Sequence, residues 1–250
     1  MEINIPGDIW EAIARYCDFP TLLSLRSTCS SIRRRVVIRS IPRHLCRKLN
    51  DDNLLFPHLI SLDATNNLNI TDASILQLTN LVTLEACSNI FITDASIAKL
   101  TRLTTLFAGC NHKITDASVS LLTQLTTLDA SYNLNISNTS VGKLTRLTTL
   151  DVSGNFNITD SSISLLTQLT TLYAIRNPNI TDASVGLLTQ LTALDASINL
   201  NITDASVGLL TQLTTLYAIR SPNITDASVG LLTNLTTLYA ISNPNITITI

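Results

Sequence analysis

Residues 180–201 read ITDASVGLLTQLTALDASINLN, and residues 202–223 repeat them as ITDASVGLLTQLTTLYAIRSPN. The tripeptide Ile-Thr-Asp returns at multiples of 22 residues, with no insertion or deletion between copies. It begins at Ile70, Ile92, Ile114, Ile158, Ile180, Ile202 and Ile224, with degenerate copies at Ile136 and Ile246. A fixed period of this length predicts a solenoid, because one such unit cannot bury its apolar face unless neighbouring units stack on it.

One part of each unit has the pattern of a β-strand. Leu128 and Ala130 are two residues apart, so both are expected to point to the same face of a short strand. Thr127, Asp129 and Ser131 then point to the opposite face, toward solvent. Because the unit is repeated, this alternation predicts one short strand per repeat and gives the solvent-facing positions of all of them.

The Ile-Thr-Asp signature is expected to open a short helix in each unit. Thr181 has the side chain of an N-cap, and Asp182 is favourable in the first turn, where the helix dipole is positive. The apolar residues that follow have helix-like spacing: Val185, Leu187, Leu188 and Leu191. Each coil is therefore predicted to run through a strand, a turn, a short helix and a return. The recurring aspartates are expected to cap helices and not to bind a cation.

An asparagine recurs once per unit. The positions are Asn67, Asn89, Asn111, Asn133, Asn155, Asn177, Asn199 and Asn243, and Ser221 interrupts the series. An asparagine side chain both donates and accepts hydrogen bonds, so stacked copies are expected to satisfy backbone groups at the turn. Ser221 is expected to weaken this ladder locally, and none of the asparagines is predicted to be a functional site.

The pattern Leu-x-x-Leu-x-small-x-x-Asn, as in Leu191, Leu194, Ala196 and Asn199, resembles the leucine-rich-repeat family over roughly residues 56–250. The resemblance implies an α/β fold with a parallel sheet on a concave face and short helices on a convex face. About nine repeats of 22 residues are expected to form a solenoid domain over residues 49–250. The family usually binds its partners on the concave sheet.

The predicted solvent positions of the strands change in character along the chain. They are mostly acidic and small toward the N-terminal end, and aromatic and aliphatic toward the C-terminal end. Tyrosine and arginine beside exposed aliphatic side chains are typical of the energetic centres of protein interfaces. The candidate substrate-binding residues are Tyr173, Ile175, Arg176, Tyr217, Ile219, Arg220, Tyr239 and Ile241. The alternative is that these positions drifted among recently duplicated repeats.

The N-terminal head (residues 1–48, including a linker) differs from the repeats in charge and in periodicity. Residues 1–50 contain nine Lys or Arg against four Asp or Glu, whereas the remaining 200 residues contain seven against fourteen. Ile9, Ile13 and Cys17 fall on one face of an amphipathic helix, and two further short helices are predicted before residue 42. Three short helices cannot bury a self-sufficient core, so the head is expected to need the solenoid or a partner.

The head resembles an F-box, the three-helix, all-α motif that docks ubiquitin-ligase substrate receptors onto a Skp-type adaptor. The matching, candidate adaptor-binding residues are Ile5, Pro6, Ile9, Ile13, Leu22, Leu25 and Cys29. An F-box followed by leucine-rich repeats is similar to a known subfamily of receptors. The resemblance implies a substrate-recognition subunit of a Skp-cullin-F-box ubiquitin ligase, in which the solenoid holds a protein substrate. The alternative is a protein-binding scaffold whose head only caps the solenoid.

No catalytic constellation is evident, so we expect no enzyme activity and neither a metal nor another cofactor. The three histidines, His44, His58 and His112, lie in unrelated contexts, and no glycine-rich phosphate loop occurs. No apolar run is long enough to cross a membrane, and the N-terminus does not resemble a secretory signal. Five cysteines without close pairing are typical of free thiols in a reducing compartment, which predicts a cytoplasmic or nuclear location.

Neither nucleic acid nor a membrane is expected as a partner, and the chain is expected to be monomeric apart from its complex. The basic run Arg33, Arg34 and Arg35 fits a solvated helix face, with a nuclear-localisation signal or phosphate contacts as alternatives. Ile246 and Ile248 alternate as in a strand, so self-association at an open sheet edge is the alternative to a monomer.

Overall fold

The structure, a computed structural model, describes Ile41, residues 46–52, Leu54 and residues 56–249. The predicted three-helix head lies almost wholly outside these described residues. Within them, nine parallel strands form one sheet in chain order. The strands are β1 Ser61–Asp63, β2 Thr83–Glu85, β3 Thr105–Phe107, β4 Thr127–Asp129, β5 Thr149–Asp151, β6 Thr171–Tyr173, β7 Ala193–Asp195, β8 Thr215–Tyr217 and β9 Thr237–Tyr239. This is the sheet of a solenoid, as the 22-residue period predicts.

Every strand pairs with the next one at the same offset in sequence. Leu128 of β4 lies opposite Leu150 of β5, and the same register holds at each of the other pairs. The ladder also continues beyond the three-residue strands: the backbone N–H groups of Ala130 and Tyr132 donate to the carbonyls of Asp151 and Ser153 at 2.9 and 2.8 Å. This uniform pairing carries one side-chain position of each repeat into a straight column across the sheet.

Eight helices of four residues each lie between the strands of the described part of the chain. They are α1 Asp72–Ile75, α2 Asp94–Ile97, α3 Asp116–Val119, α4 Asn138–Val141, α5 Asp160–Ile163, α6 Asp182–Val185, α7 Asp204–Val207 and α8 Asp226–Val229. The predicted capping is confirmed: Thr181 has an extended backbone, and its hydroxyl accepts a hydrogen bond from the Ala183 N–H at 3.1 Å.

The predicted apolar face of the α6 region is correct except at one residue. Val185, Leu188 and Leu191 are fully buried, but Leu187 is 55% exposed. The helix ends at Val185, so Leu187 falls outside it and does not follow a helical periodicity. The corresponding Leu209 of the next repeat lies on the outer surface, 3.5 Å from where a Cβ on Gly186 would be.

Aliphatic side chains form a single core that runs the length of the solenoid, from Cys46 to Leu235. Leu128 and Ala130, which the alternation assigns to the inner face, are 1% and 0% exposed, and Thr127 and Asp129 are only partly buried. Because each such leucine contributes about 1.5–3 kcal/mol on full burial, the repeated unit supplies the stability that a single coil lacks.

The asparagine ladder joins each repeat to the one before it. The side-chain amide of Asn177 donates to the carbonyls of Val152, Asn155 and Ile158 at 3.1, 2.7 and 3.2 Å, and its Oδ1 accepts from the Asn179 N–H. At the interrupted position the Ser221 hydroxyl lies 2.7 Å from the Ala196 carbonyl. One contact to the preceding repeat therefore replaces three, as expected for a locally weaker ladder.

The aspartates lie in the first turn of their helices, but their carboxylates bind the next repeat and do not cap their own helix. Asp182 accepts hydrogen bonds from the Thr203 N–H at 2.8 Å and from the Thr203 hydroxyl at 2.6 Å, and Thr203 is the N-cap of the next repeat. Burial opposes ionisation of the equivalent Asp116, but hydrogen bonds from Ser137 and Ser140 outweigh it, so the pKa of Asp116 is lowered. These carboxylates thus link adjacent helices.

Candidate functional site: the solvent face of the sheet

Two columns of side chains cover the face of the sheet opposite the core, called here the sheet face. The first column takes the last residue of each strand: Asp63, Glu85, Phe107, Asp129, Asp151, Tyr173, Asp195, Tyr217 and Tyr239. The second column lies two residues further along: Thr65, Cys87, Gly109, Ser131, Ser153, Ile175, Ser197, Ile219 and Ile241. The repeat register places neighbours within a column on adjacent strands, about 4.8 Å apart.

Aspartates of the first column bind the backbone of their own repeat. Asp195 Oδ1 accepts a hydrogen bond from the Ser197 N–H at 2.9 Å, and Asp151 Oδ1 accepts one from the Ser153 N–H at 2.8 Å. The ring of a tyrosine at this position holds its oxygen too far away to accept this bond, and the tyrosine repeats have isoleucine instead of serine two residues later. From β4 to β9 the sheet face is therefore built from two types of repeat, one with Asp and Ser and one with Tyr and Ile.

The Asp129 side chain extends across the neighbouring strand toward Cys87. The Cys87 Sγ lies 3.5 Å from Asp129 Oδ2, and the strand between them contributes Gly109, where a Cβ would come within 2.9 Å of that oxygen. Burial and the Asp129 carboxylate raise the pKa of Cys87 to about 12. Cys87 is therefore a neutral thiol at physiological pH, which disfavours it as a nucleophile.

Asp151 occupies the centre of the sheet face. Burial raises its pKa to about 6, and the neighbouring carboxylates of Asp129 and Asp195 raise it further as like charges. The hydrogen bond from the Ser153 N–H and the nearby Ser153 hydroxyl act in the opposite direction. The three aspartates thus lie on β4, β5 and β7, with Tyr173 of β6 between the last two.

The structure brings only some of the candidate substrate-binding residues together. The rings of Tyr217 and Tyr239 stack with their centroids 4.7 Å apart and their planes 6° apart. Tyr239 is 45% exposed and Ile241 is 67% exposed at the C-terminal end of this face. Ile219 lies beside Ile241 on the neighbouring repeat, and Arg220 follows it in sequence.

Tyr173 and Ile175 are separated from this exposed group by one whole repeat. Strand β7 lies between them, and its Asp195 and Ser197 are buried between the larger side chains on either side. Arg176 is exposed and follows Ile175. The eight candidates therefore fall into two groups. One group lies on the two adjacent C-terminal repeats, and the other lies on a third repeat that an aspartate-containing repeat separates from them.

A left-handed residue follows the second column in all nine repeats of the described chain. Its φ is 53° at Arg176, 52° at Arg220 and 56° at Ile198. Among the nine residues at this position, only Gly154 is a glycine. In Arg176 and Arg220 the backbone N–H donates to the carbonyls of Ser197 and Ile241, both at 3.2 Å. Both arginine side chains are thus carried on a tight turn at the rim of the sheet face.

The candidate adaptor-binding residues all lie outside the described residues: Ile5, Pro6, Ile9, Ile13, Leu22, Leu25 and Cys29. Among the residues that are described, no group of three or more His, Cys, Asp or Glu could hold a metal ion. No helix in the same part of the chain is long and apolar enough to span a membrane.

No protein-family model and no curated protein matches the chain, but solved structures do. Internalin C2 from Listeria monocytogenes is 27% identical, with a TM-score of 0.57, over 77% of this chain and 84% of that one. The internalin InlF from the same organism is 24% identical, with a TM-score of 0.57, over 86% of this chain and 67% of that one. The fold is a leucine-rich-repeat solenoid.

A third leucine-rich-repeat structure is more distant. Rad7, solved in complex with Elc1 from yeast, is 18% identical, with a TM-score of 0.52, over 77% of this chain and 66% of that one. This similarity concerns the repeats, since the described residues of the present chain are almost entirely repeats.

Proposed function

We propose that the chain is a protein-binding scaffold whose sheet face holds its partner. The observation that carries this proposal is the exposure of Tyr239 and Ile241 beside Tyr217, Ile219 and Arg220. The core on the other face of the sheet is closed without these side chains, so folding does not require them to be aromatic or aliphatic. Tyrosine and arginine next to exposed aliphatic carbon are enriched where interfaces gain most of their binding energy.

In its finer form the proposal is that the chain is a substrate receptor of a Skp-cullin-F-box ubiquitin ligase. The support is the resemblance of the head to an F-box, carried by Ile5, Pro6, Ile9, Ile13, Leu22, Leu25 and Cys29. In this arrangement the head docks onto the Skp-type adaptor, through it the cullin is recruited, and the sheet face presents a protein substrate. Catalysis belongs to other subunits of such a ligase.

The test of the receptor is binding to a purified Skp-type adaptor. We expect the full-length chain to bind and Pro6→Ala/Ile9→Asp to lose binding, because an aspartate would be buried without a partner in an apolar interface. Tyr239→Ser is the matched control, since it alters the last strand of the solenoid, more than 200 residues from the head in sequence, and is expected to leave adaptor binding unchanged. If the folded wild-type chain fails to bind the adaptor, the receptor function is contradicted and the scaffold function remains.

The scaffold itself is tested by site-specific crosslinking in eukaryotic cells. A photo-reactive amino acid replaces Tyr217 on the sheet face or, as the matched control, Leu209, which is 57% exposed on the outer surface. We expect one set of crosslinked proteins from position 217 that is absent from position 209. The same products from both positions would show that the sheet face is not a specific binding surface.

A further inference from the structure

A row of alternating acidic and aromatic side chains crosses the sheet face. Asp151, Tyr173, Asp195 and Tyr217 lie on the consecutive strands β5 to β8, directly opposite one another in register. The two carboxylates are two strands apart, which corresponds to about 9.6 Å between their backbones. The backbones of Tyr173 and Tyr217 have the same separation and lie on either side of Asp195, so the shorter acidic side chain stands between two tyrosines.

Neither carboxylate in this row has a cationic partner among the described residues. Asp195 is 9% exposed, and the hydrogen bond that the structure gives its side chain is the one from the Ser197 N–H. No lysine or arginine of the described residues forms an ion pair with Asp151 or Asp195. A buried carboxylate without a counter-charge is costly, so a cation entering this row would be stabilised.

The Ser153 hydroxyl beside Asp151 lacks a hydrogen-bond partner among the described residues. Ser153 is 4% exposed, and its Oγ has no hydrogen bond of normal geometry with the described residues. It nevertheless lies near enough to the Asp151 carboxylate to stabilise the negative charge. The buried Oγ of Ser153 therefore has hydrogen-bonding capacity that the described residues leave unused.

The charges around the row favour a basic partner. Neither column of the sheet face contains a lysine or an arginine, whereas the first column has five acidic residues: Asp63, Glu85, Asp129, Asp151 and Asp195. Arg176 and Arg220 follow the aromatic repeats at the exposed rim, three residues beyond the row. Both arginines are exposed on tight turns outside the two columns, where solvent and salt screen their charges.

We propose that this row binds an extended basic segment of a partner protein, with arginine or lysine side chains three residues apart entering beside Asp151 and Asp195. A polyproline II segment rises about 3.1 Å per residue, so positions i and i+3 are about 9.3 Å apart on one side, close to the 9.6 Å between the acidic strands. Tyr173 and Tyr217 provide aromatic faces on which such cations stack. This inference rests on the proposed scaffold function and names the class of partner.

The test is peptide binding to the full-length chain, followed by fluorescence anisotropy at physiological ionic strength. The probe is a proline-rich peptide with arginine at every third position. One comparison peptide has the same composition with its arginines consecutive, and a second has citrulline, which is uncharged and similar in shape, in place of arginine. We expect the spaced arginine peptide to bind at least about tenfold more tightly than either.

The protein variants locate the binding. Asp195→Asn and Asp151→Asn keep an oxygen for the Ser197 and Ser153 N–H groups but remove the charge, and each is expected to weaken binding about tenfold. Asp52→Asn is the control, since it removes one negative charge from an exposed turn before β1 and should leave the affinity within about twofold.

Equal affinities for the spaced and consecutive arginine peptides would contradict the proposed three-residue spacing. Equal affinities of Asp195→Asn and Asp52→Asn for the spaced peptide would contradict binding beside Asp195. Failure of all three peptides to bind would also reject the inference. The crosslinking experiment at Tyr217 is independent of these peptides, so the scaffold function would stand if position 217 alone still captured a partner.

Discussion

At the residue scale, the left-handed position after the second column imposes a local cost. Ile198 has a φ of 56°, a conformation in which a β-branched side chain crowds the backbone by about 1–2 kcal/mol. Asparagine tolerates this conformation better. We therefore expect Ile198→Asn to raise the free energy of unfolding by about 1 kcal/mol, measured by denaturant titration.

The opposite substitution is available at the same position of another repeat. Gly154 has a φ of 61°, and a Cβ placed there would overlap the ring of Tyr132. Gly154→Ala should therefore lower the free energy of unfolding, by about 1–3 kcal/mol. A stabilising Gly154→Ala would show that the turn conformation does not limit stability.

Asp151 makes stability depend on pH. Its pKa is about 6 in the folded chain and near 3.8 when unfolded, so the folded state binds the proton more tightly. The stability that this proton contributes is complete below about pH 3.8 and is lost as the pH rises through about 6. Asp151→Asn should therefore stabilise the chain by about 1–3 kcal/mol above pH 7 and leave it unchanged near pH 4. Thermal melts of both proteins across this range test the prediction, and a difference that does not vary with pH would contradict it.

At the element scale, the ladder is weakest where serine replaces asparagine. An asparagine at position 221 would regain the contacts that Asn177 makes to three carbonyls of the preceding repeat. Each hydrogen bond contributes about 1 kcal/mol net, so Ser221→Asn should raise the free energy of unfolding by about 1–2 kcal/mol. Asn177→Ser, the converse change, should lower it by a similar amount, and no effect of either would mean that the ladder is not stabilising.

The strands could be predicted from sequence more fully than the helices. Leu128 and Ala130 follow a two-residue alternation that only a strand satisfies, and the same register holds in each repeat. The prediction that Leu187 belongs to the apolar helix face is wrong because the four-residue helix ends before a helical periodicity can extend to it. The link from Asp182 to Thr203 could not be predicted either, because capping within one repeat explains an aspartate at that position equally well.

At the scale of the whole molecule, the columns of the candidate site could be predicted, but their packing could not. The fixed period assigns Tyr173, Asp195, Tyr217 and Tyr239 to adjacent repeats of one face. How deeply Asp195 is buried and how Tyr217 stacks on Tyr239 depend on side-chain size and conformation on neighbouring strands. The residue type at each position of a column does not by itself determine these contacts.

The constant offset between contacts also predicts that a whole repeat can be removed. Deleting residues 180–201 joins Asn179 to Ile202 at the same point of the unit, so the helix link, the ladder and the strand register can all re-form with a new neighbour. We expect a folded solenoid with an unchanged circular dichroism spectrum per residue and a lower melting temperature. Loss of cooperative unfolding would contradict this expectation.

That interchangeability has a consequence for how binding specificity can evolve. The repeats are nearly identical in sequence, so misaligned recombination between them would add or remove one complete unit while keeping the frame. The core and the ladders would survive such an event, whereas the order of acidic and tyrosine repeats on the sheet face would change at once. A single genetic exchange could thus produce a new recognition surface that is already folded, with no intermediate that must pass through an unstable state.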